Sequence, residues 1–153
     1  MREVLAAADL LEEDFGVTTT VWSTPSFTEL QREGADTARW NMLHPEEKPR
    51  QSYVAQCLSK HEGPVVAASD YVQMFANQIR TFIDRRYVAL GTDGYGRSDT
   101  RKNLRRFFEV DRHYVAVAAL NALADDGDVP RSKVAEAIKK YGVDPEKPNP
   151  LTV

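Results

Sequence analysis

Tyr87-Val88-Ala89-Leu90-Gly91-Thr92-Asp93-Gly94-Tyr95-Gly96-Arg97-Ser98-Asp99 is the stretch from which the fold is read. Its first four residues have the length and β-prone character of a short buried strand. They empty into a loop with three glycines, and Ser98 or Asp99 stands where an N-cap is expected for a helix carrying Leu104, Phe107 and Phe108. Strand, glycine-rich turn and helix form the unit from which parallel α/β sheets are built.

Upstream, the same unit recurs. Pro64 to Ala68 is a small apolar run between Gly63 and Ser69, followed by Tyr71, Phe75, Gln78 and Phe82 on one helical stripe with Met74 and Ile79 beside it. Val17 to Trp22 is β-branched, ends in an aromatic and is closed by Ser23 to Pro25, which predicts a third strand. Val4, Ala8, Leu11 and Phe15 share a helical face that stops at Gly16, and Ser26-Phe27-Thr28-Glu29 spells a capping box for a helix running to Leu43. After a proline-bearing loop from His44 to Pro49, Tyr53 to Leu58 predicts a further short helix. Downstream, Asp111 caps a helix apolar nearly all round from Tyr114 to Leu120 and ending near Gly127, and Val134, Ile138 and Tyr141 mark a last helix stopped at Gly142.

The fold class is therefore α/β, with three layers and a mainly parallel sheet flanked by helices. Residues 1–142 form the domain and residues 143–153, with Pro145, Pro148 and Pro150, an extended tail. Doubly wound units open on a strand, whereas here the first helix starts at residue 2, so the sheet is expected to lack its first strand.

Composition excludes several functions. Twenty basic against 23 acidic residues give a net charge of −3, which lacks the basic excess that neutralises nucleic-acid phosphates or anionic lipid. Neither nucleic acid nor membrane is an expected partner. No apolar run nears the roughly eighteen residues of a membrane helix, and Asp9, Glu12, Glu13 and Asp14 interrupt any leader-like stretch, so the expected compartment is the cytoplasm. One cysteine, Cys57, forms no internal disulfide and reads as a small hydrophobe.

Motifs for chemistry are missing. The loop after Leu90 matches neither G-x-G-x-x-G nor the phosphate-binding G-x-x-x-x-G-K-[ST] pattern, so it reads as a packed connection. His44, His61 and His113 have no second ligand at metal-site spacing, and no serine sits in G-x-S-x-G. The cluster Arg101, Lys102, Arg105, Arg106 is flanked by Asp99, Glu109 and Asp111, which predicts a salt-bridged face. Asp93-Gly94 and Asn121 fail as a magnesium–diphosphate site, because Thr92 stands where a glycine belongs and Asn121 is helical between Leu120 and Ala122.

Trp40-Asn41-Met42-Leu43-His44-Pro45, the loop Leu90 to Asp99, Asn103 to Asp111, Val134 to Ile138 and the tail Asp144 to Pro150 together closely resemble the end of the homodimeric bacterial pyruvate dehydrogenases. The looser pattern of glycine-rich loop, serine, leucine, two phenylalanines and an apolar helix also resembles the last domain of transketolase. The resemblance implies part of an enzyme that uses thiamine diphosphate and magnesium to decarboxylate pyruvate. The acetyl group then passes to a lipoyl group on the dihydrolipoyl acetyltransferase core. It implies a domain that supports the dimer and contributes to docking, with the cofactor held by domains outside this chain. No catalytic, cofactor-binding or metal-binding residue is carried over, and the chain alone is expected to be inactive. The alternatives are a stand-alone docking and assembly module without catalysis, or the last domain of a transketolase.

Asp93, Arg97 and Asp99 are the candidate interface residues. Asp99 suits the positive end of the following helix, whereas Asp93 and Arg97 are opposite charges on a turn and can reach each other or a neighbouring domain.

Overall fold

The computed structural model describes residues 1–153. Its helices are α1 (Arg2–Phe15), α2 (Phe27–Leu43), α3 (Tyr53–Leu58), α4 (Gln73–Asn77), α5 (Arg101–Phe107), α6 (Arg112–Asp126) and α7 (Arg131–Lys140). Strand β1 (Val65–Ala68) precedes α4, and β2 (Tyr87–Leu90) follows a 3₁₀ turn at Arg80–Phe82. The strands pair in parallel, Val65 opposite Tyr87 through Ala68 opposite Leu90.

Alternation along the strands creates the layers. Val66, Ala68 and Leu90 face a core of Ala7, Leu11, Phe15, Val115, Ala116, Leu120 and Ala137, supplied by α1, α6 and α7. Val65, Ala67, Tyr87 and Ala89 face the other way, against Val54, Ala76, Ile79 and Ile83 with Phe27 and Leu30 of α2. Helices thus cover both faces of a small parallel sheet, the α/β class read from the pattern.

Local signals set most helix ends. Gly16 (φ 67°) and Gly127 (φ 88°) take the left-handed conformation that closes α1 and α6, and Asp111 accepts from the His113 and Tyr114 amides, both at 3.0 Å, to open α6. Ser26 caps α2 by accepting from Glu29 N at 3.2 Å, but the Glu29 carboxylate turns to Arg32 at 2.7 Å, so half of the capping box forms.

Three expectations are corrected. Val17 to Trp22 is not a strand: its backbone finds no ladder partner, and β-propensity cannot supply the hydrogen bonds a neighbouring strand must give. The sheet therefore has two strands. The stripe from Tyr71 to Phe82 is not one buried helical face, because Tyr71 precedes α4, which spans only five residues, and Tyr71, Met74 and Phe75 are exposed. Finally, Thr100 and not Ser98 or Asp99 caps α5, its hydroxyl accepting from Asn103 N at 3.3 Å, while the Asp99 carboxylate braces that cap from one residue upstream.

Candidate interface site

Both strands end at the same edge, and two loops meet there. Thr92 N donates to Tyr71 O at 2.9 Å and the Thr92 hydroxyl to Asp70 O at 2.9 Å, stitching the glycine-rich loop to the turn after β1. Gly91 permits the approach: a methyl group there would lie 2.5 Å from Tyr71 O.

The three candidate charges have separate tasks. Asp93 Oδ2 accepts from Gln73 N at 2.8 Å, capping the first residue of α4 across the loops where that helix has no side-chain cap of its own. Asp99 accepts from Thr100 N at 2.6 Å and from Asn103 Nδ2 at 2.9 Å, and the Thr100 hydrogen bond holds its carboxyl below the usual range. Arg97 is exposed, its guanidinium 4.0 Å from the Phe107 ring centroid. Asp93 and Arg97 do not meet each other.

The basic cluster on α5 divides as well. Arg105 binds Asp70 at 2.7 Å and lies 3.6 Å from Glu3, which also takes Arg112 at 3.0 Å. Those guanidiniums hold the Asp70 and Glu3 carboxyls below their ordinary values. Arg106 donates to Asp111 and to the carbonyls of Tyr141 and Gly142, tying the end of α7 to α5. Arg101 and Lys102 remain exposed.

What surrounds the loop was not anticipated. Tyr71 (71% exposed), Met74 (69%), Phe75 (42%) and Tyr95 (77%) stand in water beside it. The signal for Tyr71 was present in Ser69-Asp70, turn residues that place it on a strand-end turn, the Ser69 hydroxyl accepting from Tyr71 N at 3.0 Å. A cleft of about 290 Å³ beside Arg97, Ser98, Asp99, Leu104 and Phe107 falls just below the size of ordinary small-molecule sites.

The remaining candidates are engaged elsewhere. His44 stacks on Trp40 at 4.3 Å, with Arg50 over the same indole at 3.6 Å, and the Asn41 amide clamps both the N–H and the C=O of Arg50. The Trp40 to Pro45 motif is thereby a brace for the loop into α3. His61 packs on Trp22 and His113 on Tyr141. Cys57 is half-buried. Asn121 donates to Asp125 at 3.2 Å, so with Asp93 capping α4 the two residues do not fit a magnesium–diphosphate site. No helix is long and apolar enough to cross a membrane.

A domain of two parallel strands between helical layers, with its loops gathered at the strand ends, agrees with what comparison finds. A model of the transketolase-like C-terminal domain matches residues 1–111, and the chain belongs to that family. Over 152 residues, 99% of its length, the chain is 64% identical to the pyruvate dehydrogenase E1 component of Cupriavidus necator and 59% identical to that of Pseudomonas aeruginosa. It is 51% identical over 151 residues to the same component of Escherichia coli K12. The chain spans 17% of the length of each of these relatives.

Proposed function

We propose that this chain is the structural and assembly domain at the carboxy-terminal end of a pyruvate dehydrogenase E1 component acting in the cytoplasm. The whole enzyme decarboxylates pyruvate with thiamine diphosphate and magnesium and passes the acetyl group to the lipoyl group of the dihydrolipoyl acetyltransferase core. This chain contributes no catalytic residue and holds no cofactor. Its partners are the rest of the dehydrogenase chain, the dimer mate and the acetyltransferase. The loop from Gly91 to Asp99 is an interface element in which Asp93 and Asp99 fix the shape and Arg97 meets the partner.

The observation that carries this reading is the group of exposed aromatic and thioether side chains, Tyr71, Met74, Phe75 and Tyr95, beside a loop in which Thr92, Asp93 and Asp99 are tied back to the chain. Aromatic residues, methionine and arginine are the types enriched where proteins meet. The test is Arg97→Ala in the longer dehydrogenase, with dimer dissociation and acetyltransferase binding measured separately. Weakening of either supports the interface. Unchanged values for both, with pyruvate turnover lost, would make the loop catalytic and overturn the reading.

A further inference from the structure

The tail beyond α7 does not extend into solvent. Two side-chain turns shape it: Asp144 accepts from Glu146 N and Asn149 from Leu151 N, both at 3.0 Å. Between them Lys147 Nζ meets Glu109 Oε1 at 2.8 Å and lies 5.3 Å from the Phe107 ring centroid. Beyond it Pro150 is buried, and its carbonyl lies so near Gly94 that a β-carbon there would collide with it.

Two further features make these contacts more than incidental packing. The Phe107 ring is shared, taking Arg97 from the glycine-rich loop at 4.0 Å and Lys147 from the tail. Glu109 is the one non-glycine residue with positive φ, 62°, at the end of α5, a conformation that side chains with a β-carbon resist. A glycine would satisfy that backbone without strain, but it would not offer a carboxylate to Lys147.

We infer that residues 143–153 are a strap that holds the glycine-rich loop in one conformation, latched by Lys147 on Glu109 and Phe107 and seated by Pro150 on Gly94. The strap thereby sets how Arg97 and Tyr95 are presented. Its consequence for association rests on the interface reading above; its effect on the loop does not. Loss of charge at Lys147 opens the latch by removing the ion pair and the cation–π contact together.

The test is amide exchange by NMR on the 153-residue chain and its variants Lys147→Gln, Lys147→Arg and Glu109→Gln. The reporters are the Thr92 and Gln73 amides, which bond across the loop, with the Val65 amide at the far end of β1 as control. Lys147→Gln and Glu109→Gln should speed exchange at Thr92 and Gln73 by roughly threefold to thirtyfold, with Val65 unchanged and Lys147→Arg near the parent. Unchanged exchange at the loop in Lys147→Gln, or equal acceleration at Val65, would overturn the strap. The same Lys147→Gln change in the longer dehydrogenase then separates the readings. A loosened loop with unaltered dimer dissociation keeps the strap and removes the interface, while an unaltered loop removes the strap alone.

Discussion

The two ends of the β1–β2 pair differ in the balance of side chains they leave exposed. At the amino-terminal end the surface is charged and self-answering: Arg86 reaches Asp126 at 2.7 Å and Asp125 at 3.5 Å, and Arg85 donates to the His61 carbonyl. At the carboxy-terminal end Tyr71, Met74, Phe75 and Tyr95 are exposed beside a loop anchored to the chain through Thr92 and Asp93. Exposed ion pairs gain little from being covered, since water already solvates them. Exposed aromatic surface gains free energy in proportion to the area removed from water. One sheet thus presents an end whose charges are paired within the chain and an end whose apolar side chains a partner would stabilise by covering.

Between the two ends lies a shared scaffold, and damage there should ignore the distinction. Leu120 is fully buried among α1, α6 and α7, so Leu120→Ala should cost about 3–5 kcal/mol in urea unfolding and destabilise both ends together. Loss confined to one end would break the comparison at its root. A smaller effect is expected from Tyr71→Ser combined with Phe75→Ser. In the longer dehydrogenase this pair should weaken assembly by about 2–4 kcal/mol, while unfolding of the 153-residue chain moves by less than that, because Tyr71 is largely exposed and Phe75 partly so. Equal losses in the two assays would mean that the patch serves folding. Smaller again, Arg86→Ala at the opposite end should change stability by at most about 1 kcal/mol and leave assembly alone.

Acid should separate the ends without mutation. The Arg112 guanidinium holds the Glu3 carboxyl below its ordinary 4.5, and Arg105 holds that of Asp70 below 3.8. A carboxyl with a lowered folded pKa gives stability that is complete above the unfolded value and lost as pH falls through the folded one. The network joining α1, α5 and α6 at the carboxy-terminal end should therefore hold above about pH 4.5 and loosen below it. The Arg112 amide, which donates to Glu3 at 3.1 Å, reports the change in an NMR titration; a flat trace from pH 6 to pH 3 would contradict the assignment.

Much of the scaffold was legible because its signals are local. Gly16, Ser26, Asp111 and Gly127 act within one turn of the helices they bound, so their sequence context contains the physics. The failures share one cause. A strand at Val17 to Trp22 depends on hydrogen bonds from a neighbour that the segment cannot provide, and a stripe of Tyr71, Phe75 and Phe82 at helical spacing does not reveal that α4 ends at Asn77. The loop was recognised as a structural turn from its glycines, yet the task of Asp93 was invisible, since the amide it caps belongs to Gln73, 20 residues away. Exposure of Met74 likewise follows from the meeting of two loops, which no local window contains.

The central claim, that the carboxy-terminal end of the sheet is the face covered in the longer protein, has a direct measurement. Hydrogen exchange read by mass spectrometry would compare the 153-residue chain with the same residues inside the intact longer dehydrogenase. Peptides covering residues 71–75 and 91–99 should gain protection, while those covering 61–63, 84–86 and 125–128 should exchange alike in both. Unchanged exchange at residues 71–75 and 91–99, or protection gained at the charged end instead, would contradict the account.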